Sequence, residues 1–365
     1  MTSPEAHTLQ SFLRIASPLV SVVITSYKKA DTLRECILSF LNQTYPLIEI
    51  IIVNDGSPDH TSQIVRQLQA EYPRRRLELI EKTNGGVADA RNVGFRHAQG
   101  RLFLTMDGDD LAEPELIRTG VEALRSTDAN LFYTDQQNFG AQNDVWKPHH
   151  YDSYLLRYDN LFPTPSLFDA ELFNLTGGFK LGLGFCEDWE FWLSCSRHEL
   201  RPIRGPQPLI RYRVTQEGLA HRFVNGRWHD CAVLLVLANQ DLYSVEEVLE
   251  SISHFSSSDP HSIERCVLLR SLHPTDLLLR YLNALILESQ GKKQEALAEY
   301  EVALQFSQER WWPALFSMAM CILGEQSDTQ RHEWAFYLLH RARTYRPDLR
   351  RYVSPMIENR SMKSS

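Results

Sequence analysis

Arg101–Leu111 reads RLFLTMDGDDL, and the fold turns on how this stretch is understood. Leu102–Met106 is a short, mostly apolar run of strand length. Asp107, Asp109 and Asp110 follow at its end, with Gly108 between the first two. A buried strand that stops in carboxylates brings concentrated negative charge to the edge of a sheet. Hard divalent cations with oxygen ligands, Mg²⁺ or Mn²⁺, bind at such places, usually together with substrate phosphates. A solvated turn draws on the same residue types, so the neighbouring segments have to decide. An EF-hand loop is excluded, because Leu111 stands where the fifth position needs Asp or Asn, and no Gly follows it.

Upstream, Val20–Thr25 (VSVVIT) and Ile48–Val53 (IEIIIV) are continuous β-branched runs, the pattern of parallel strands buried on both faces. Between them Leu33, Ile37, Phe40 and Leu41 recur at helical spacing, with Asp31 as the expected N-cap and Pro46 closing the segment. Strand, helix and strand in succession make a βαβ unit with a right-handed crossover. A helix over Thr61–Glu71, a strand over Leu77–Glu81, a turn at Asn84, Gly85 and Gly86, and a helix over Val87–His97 continue the alternation into the acidic strand. The pattern predicts an α/β fold on a doubly wound, mostly parallel sheet.

Polar residues fall at the ends of the expected strands: Thr25 to Tyr27 at one, Asp55 at another, Asp107 and Asp109 at a third. Ligands of open parallel sheets sit at the carboxyl ends of the strands, so separate segments converge on one pocket. An aromatic face, a lone carboxylate and a metal-binding carboxylate cluster suit a nucleoside diphosphate. Tyr27 stacks on the base, Asp55 accepts from a base N–H, and a cation on Asp109 neutralises the diphosphate.

VSVVITSYKKADTLRECILSFLNQTY, IEIIIVNDGSPDHT, NGGVADARNVGFRHAQG and LFLTMDGDD follow one another in this chain. In that order they resemble the signatures of the family 2 glycosyltransferases, over about Val20 to Arg213. The resemblance implies the GT-A fold, a nucleotide-sugar donor (commonly a UDP-sugar) and Mn²⁺ or Mg²⁺ as cofactor. It implies Tyr27, with Thr25 in the same substrate-binding set, near the base, and Asp55 as the acid that reads it. Asn84, Gly86 and Arg91 would line nucleotide and sugar, Asp107 the ribose and donor, and Asp109 the metal. Asn92 and Gly94 take a structural reading, holding loop and helix packing.

Downstream, Pro114–Arg125 is an expected helix and Asn130–Gln136 an expected strand ending at Asp135. Phe139–Asp159 is rich in aromatics and His with weak periodicity, and suits a variable region shaping an acceptor site. His149 and His150 are adjacent, which favours a solvated or structural role over shared metal ligation. Gly182–Leu193 (GLGFCEDWEFWL) delivers Glu187 and Asp188 to the start of an aromatic helix. Acids there complement the helix dipole without any further role. In the family, the ED pair after a GGF segment supplies the general base, which implies Asp188 in that role, with Glu187 as alternative or orienting group. One carboxylate base and a metal-held leaving group suffice for single displacement, hence inversion. Arg213 matches the basic residue at the diphosphate. Many members carry His two residues further on, where this chain has Thr215; His221 is the candidate substitute as metal ligand or phosphate contact, against a plain surface His. The QxxRW motif of processive synthases is absent, which points to single or short-chain addition.

From about Arg222 strand signals fade and helical periodicity takes over in this chain of 365 residues. LNALILESQGKKQEALAEYEVAL resembles a tetratricopeptide-type helix pair, and HEWAFYLLHRARTYRPD the second helix of another. The expected division is a lead-in over 1–17, a GT-A domain over 18–221, an all-α helical-hairpin domain over 222–352 (tetratricopeptide-like from about 277) and a tail over 353–365. The helical part suits a protein partner or self-association, or serves as a plain helical extension. Arg341, Arg343, Arg346, Arg350 and Arg351 suit acidic lipid, a partner or solvent.

Acidic residues outnumber basic ones, 46 to 38, which argues against nonspecific nucleic-acid binding. The six cysteines are scattered without CxxC spacing, so a disulfide framework or zinc site is not expected and a reducing cytosol suits them. No run approaches the roughly 20 apolar residues of a membrane span, and the N-terminal segment does not read as a secretory signal. The expected location is cytoplasmic, with peripheral contact at the inner face of the membrane. The expected partners are a nucleotide-sugar donor and an acceptor hydroxyl on a glycan, lipid-linked or protein substrate. Two other classes compete. A nucleotidyltransferase needs a glycine-rich phosphate loop after the first strand, and TSYKKAD offers none. A catalytically inactive transferase-like scaffold is disfavoured by intact Asp107, Asp109 and Asp188 and favoured by Thr215.

Overall fold

The computed structural model describes residues 17–183, 186–215, 228–255, 270–271, 273–308, 310–324 and 329–361. The chain divides into two compact units, 1–180 with 185–228, and 181–184 with 229–365.

In the first unit, β1 (Val20–Ser26), β2 (Ile48–Asp55), β3 (Arg76–Lys82) and β4 (Leu102–Asp107) are parallel and lie in the order β3-β2-β1-β4. Every residue of β1 is buried, as suits a mostly β-branched central strand of a parallel sheet. α1 (Ala30–Leu41), α2 (Thr61–Glu71) and α3 (Val87–His97) connect these strands. The chain runs from β1 outward through β2 to β3, then returns to place β4 on the other side of β1. Strand order therefore reverses between β1 and β4, the switch point where such sheets open a crevice. β9 (Leu167–Asp169), β6 (Leu131–Tyr133) and β10 (Pro202–Arg204) continue the sheet beyond β4, with β9 antiparallel to both neighbours. The α/β fold with a doubly wound, mostly parallel sheet is thus realised.

A smaller sheet has the order β5-β11-β7-β8, from β5 (Leu111–Ala112), β11 (Ile210–Val214), β7 (Gln136–Gly140) and β8 (Val145–Trp146). Here the sequence reading needs correction. The single strand expected over Asn130–Gln136 is two, β6 and β7, because Thr134 and Asp135 carry the chain from the large sheet to the small one. The Arg204 guanidinium pairs with Asp135 at that corner. Nor is Asp31 the cap of α1. Lys29 occupies the N-cap position without a side-chain bond to the helix's amides, and the Ala30 amide donates to Asp59 Oδ2 at 3.1 Å. Burial works to raise the Asp59 pKa, but donors from Ser57, Thr61 and Ala30 hold it down at about 2.

α3 lies close on the sheet at Gly94, where a Cβ would stand 2.4 Å from Val23 Cγ1 and 3.1 Å from Val53 Cγ2. Two residues earlier, Asn92 exchanges two hydrogen bonds with the Phe179 backbone, at 2.7 and 2.8 Å. The structural reading of both residues is what the coordinates show. Phe95, Phe103, Phe168 and Phe173 pack around these contacts, and Phe179 stacks on Phe191 of α6 (Glu187–Cys195). All nine residues of α6 are buried, which explains its aromatic sequence.

The second unit is helical: α7 (Trp228–Ala238), α8 (Val245–Phe255), α9 (Leu277–Ser289), α10 (Lys293–Phe306), α11 (Trp312–Leu323), α12 (Thr329–Tyr345) and α13 (Arg350–Ser361). α9 packs on α10 and α11 on α12. A three-residue connection over 290–292 makes the first pair antiparallel. Ala284, Ala296, Ala303, Ala319, Ala335 and Ala342 are fully buried, so small side chains let the helices approach closely. The basic tail is itself helical, with Val353 buried. Its arginines are engaged within the unit: Arg341 with the Tyr337 and Tyr345 hydroxyls, Arg346 with the Gln240 and Tyr243 carbonyls, Arg351 with Glu246. Among the described residues no helix is long and apolar enough to cross a membrane. Cys36, Cys186, Cys195, Cys231 and Cys321 are buried, and Cys266 lies outside the described residues.

Replacing Gly with Ala inside a helix ordinarily gains up to about 1 kcal/mol. Gly94→Ala should instead lose about 1–3 kcal/mol, because the new methyl has to displace Val23. Chemical denaturation of the variant checks this, and an unchanged or raised midpoint would show that α3 lifts off the sheet freely.

Candidate active site

The ends of β1 and β4 are register neighbours, Thr25 beside Asp107, and Ser26 is paired with Asn54 on β2. Three clusters of charge gather along this edge.

The first is built on Arg91 of α3, which is 1% exposed. Its Nη2 donates to Asp107 Oδ1 at 3.0 Å and its Nη1 to Glu187 Oε1 at 2.6 Å. Thr25 Oγ1 also donates to Asp107 Oδ1, at 3.2 Å, so both bonds to Asp107 fall on one oxygen of a side chain that is 37% exposed. The guanidinium lies 5.5 Å from the Phe179 ring centroid. Burial disfavours its charge, but Asp107, Glu187 and Asp188 together hold its pKa above the ordinary value. Burial lifts Glu187 from an ordinary 4.5 to about 7, against the pull of Arg91 and with the help of neighbouring Asp188. Arg91 Nε and Glu187 Oε2 are buried without a hydrogen-bond partner. Asp188 adjoins this cluster. Its Oδ2 accepts from Thr164 Oγ1 at 2.7 Å and Asn160 Nδ2 at 3.3 Å, and its Oδ1 from the Trp189 amide at 2.7 Å.

The second cluster surrounds Asp55, 3% exposed. Lys82 Nζ donates to its Oδ1 at 2.6 Å, and the Gly85 and Gly86 amides donate to Oδ1 and Oδ2, both at 2.8 Å. Asn84 Nδ2 donates to the Asp55 carbonyl at 2.9 Å. Lys82 also pairs with Asp89 at 2.8 Å. Tyr27, at the end of β1, is 42% exposed, with Lys28 Nζ 5.3 Å from its ring centroid.

The third cluster holds the remaining acids of the opening stretch. Asp109 pairs through Oδ2 with Lys29. Arg213 Nε donates to the Asp109 carbonyl at 2.9 Å, its Nη2 pairs with Glu35, and its guanidinium sits 4.5 Å from the Phe139 ring centroid. Asp110 is 2% exposed and accepts from the Arg213 amide at 2.8 Å. Burial, then the charges of Asp109 and Asp107, push its pKa well up. Thr215 is exposed, His149 and His150 are exposed, and His221 lies outside the described residues.

Among the described residues no three or more His, Cys, Asp or Glu side chains form a metal-holding group. What the edge offers is Asp109 with half-exposed Asp107 nearby in sequence. An octahedral Mg²⁺ or Mn²⁺ that takes one or two carboxylates and completes its shell from substrate phosphates and water fits that donor set.

Residues 21–182 match the family described as Glycosyl transferase family 2. The chain carries a family 2 glycosyltransferase domain. Chondroitin synthase of Escherichia coli is 29% identical over 203 residues, 54% of this chain and 29% of that protein. Chondroitin synthase of Pasteurella multocida is 35% identical over 122 residues, 33% of this chain and 12% of that protein. The matched part is thus under a third of either relative. The crystal structure of S. aureus TarS 1–349 in complex with UDP-GlcNAc superposes with a TM-score of 0.51 at 15% identity, covering 92% of each chain. That likeness is one of fold alone.

Sequence reasoning missed several residues of the glycosyltransferase domain that hold its acids, Lys29, Lys82, Asn160 and Thr164, and Glu35, which pairs with Arg213. Lys82 ends β3, so the rule that singled out the other strand ends would have found it. Lys29 sits within the quoted YKKAD segment. Asn160 and Thr164 belong to an aperiodic stretch that carries no local signal.

Raising an acid's pKa in the folded state makes the folded protein bind the extra proton. The stability contributed by Glu187 is therefore fully present below an ordinary 4.5 and lost as pH rises towards about 7. Glu187→Gln should remove that part of the pH dependence, read as a flatter denaturation midpoint between these limits. A pH profile identical to that of the unmodified chain would refute it. Arg91→Met should cost about 3–5 kcal/mol, because it strands two carboxylates without their shared cation.

Proposed function

We propose that this chain is an inverting, metal-dependent glycosyltransferase that moves a sugar from a nucleotide donor, a UDP-sugar, to an acceptor hydroxyl. Its setting is glycan or polysaccharide assembly, a reading motivated by the two chondroitin synthase relatives. The observation that carries it is the Arg91 fork, which ties Asp107 at the end of β4 to Glu187 beside Asp188. A donor-side carboxylate and a candidate base then share one wall of the switch-point crevice.

In this reading Tyr27 stacks on the base. Asp55, already accepting from Lys82 and two amides, offers the second lone pair of Oδ2 to a base N–H. Thr25, Asn84, Gly86, Arg91 and Asp107 line nucleotide and sugar, and Arg213 fixes the loop that presents Asp109. Asp109, with His221 as a further ligand or phosphate contact, would hold a divalent cation, which would supply charge neutralisation for the departing diphosphate. Asp188, oriented by Thr164 and Asn160, takes the proton of the acceptor hydroxyl. The hydroxyl oxygen bonds to the anomeric carbon as the bond to the diphosphate oxygen breaks. The electron pair leaves with the nucleoside diphosphate, and one displacement inverts the centre. The helical unit is proposed as a tetratricopeptide-like module for a protein partner or a second copy.

Calorimetry of UDP, GDP and dTDP with and without Mn²⁺ tests the donor class. Metal-dependent binding of UDP, lost in Asp109→Ala, is expected. Asp188→Asn should keep that binding and lose roughly 10²- to 10⁴-fold in release of nucleoside diphosphate from the donor. No binding of any nucleotide would overturn the reading in favour of an inactive scaffold acting through its helical unit.

A further inference from the structure

Each of three acids on this edge has a cation of the chain's own: Asp55 has Lys82, Asp107 has Arg91, and Asp109 has Lys29. Exposure separates them. The Lys82 side chain is 15% exposed and Arg91 2%, whereas Lys29 is 40% exposed and its partner Asp109 only 16%. Lys82 is further tied to Asp89 and to the Thr83 carbonyl, and Arg91 to Glu187. Among the described residues Lys29 spends its ammonium on Asp109 alone. Its root is fixed, because the Lys29 carbonyl accepts from the Thr32 and Leu33 amides at 3.1 and 2.9 Å. Thr32 Oγ1 in turn donates to the Gly108 carbonyl at 3.0 Å, which holds the acidic loop against the start of α1. The pair is therefore presented by rigid backbone on both sides, while the four-carbon Lys29 stem is free to swing.

From this geometry we propose that Lys29 is a resident counter-ion of Asp109 that a divalent cation must displace. Lys29 thereby sets the metal affinity of the site. The proposal rests on the metal reading above and extends it. An ammonium and a divalent ion on one carboxylate repel each other at contact distance, so only one holds Asp109 at a time. The displaced ammonium re-enters water at little cost, since it is already half exposed. The arrangement weakens binding of the bare ion and leaves Asp109 neutralised when none is bound.

The test is a Mn²⁺ titration of the full chain without nucleotide, following the electron paramagnetic resonance of the free ion. Lys29→Met removes the competitor while keeping the stem, and should tighten Mn²⁺ binding by about fivefold, the scale of a partly exposed ion pair. Lys29→Arg restores a cation and should return the affinity to that of the unmodified chain, which a merely structural role of Lys29 would not require. Loss of binding in Asp109→Ala, in either background, locates the ion at this carboxylate. Equal or weaker binding by Lys29→Met, no binding by either protein, or binding that survives Asp109→Ala overturns the proposal. Metal-free UDP binding by calorimetry would still leave the donor reading standing in each of those cases.

Discussion

A guanidinium that is almost wholly buried has to be surrounded by acceptors, and Arg91 is surrounded by acids that come from different parts of the chain. It reaches Asp107 at the end of a strand and Glu187 at the start of a helix. Removing either acid, or failing to bring them together, leaves an uncompensated charge in the interior. The position of α3 makes the meeting possible. Arg91 and Gly94 are three residues apart and so lie on one helix face. The missing side chain at Gly94 lets that face settle against Val23 and Val53. The packing of an apolar sheet and the electrostatics of the site are one constraint expressed at two ends of a helical turn.

The acids of the opening stretch look equivalent in sequence, and the structure gives them three different tasks. Asp107, partly exposed at the end of β4, is held by Thr25 and Arg91. Asp109 turns toward Lys29 at the start of α1. Asp110 points inward and accepts the Arg213 amide, joining the acidic loop to β11 of the small sheet. Burial and two charged neighbours favour the protonated form of Asp110, which lowers the mutual repulsion that three adjacent carboxylates would otherwise carry. The small sheet is thus tied to the acidic loop through the acid least suited to ligand chemistry.

The parts of the fold legible in sequence are those in which local pattern and tertiary role coincide. The β-rich, mostly apolar runs of β1 and β2 announced their own burial, and the helix over Val87–His97 fell where its periodicity placed it. The strand ends could be read because an open parallel sheet sends all of them to one side. Legibility stops where a contact is made across the fold. The cap of α1 comes from Asp59, not from adjacent Asp31, since a distant loop brings a better acceptor. The break between β6 and β7 depends on Arg204 meeting Asp135, which are far apart in sequence. Asn160 and Thr164 orient Asp188 from a stretch without period, so nothing local announces them.

The Asn84-Gly85-Gly86 turn shows why a family signature is not a roster of ligand contacts. Asp55 is buried, and its oxygens accept from Lys82 and the two glycine amides. Gly86 has φ +88°, a region that other residues enter only with strain. A side chain on Gly85 would stand 2.4 Å from Asp89 Oδ2 and 2.8 Å from Lys82 Nζ, in the middle of the ion pair. Asn84 secures the same loop by bonding the Asp55 carbonyl. Each residue of the turn is thus demanded by the burial of Asp55 and its cation before any ligand enters. A sequence that keeps a carboxylate at the end of β2 and sinks it this deep has to supply amides and a lysine to hold it. That requirement alone links IEIIIVND to NGG across the length of α2 and β3.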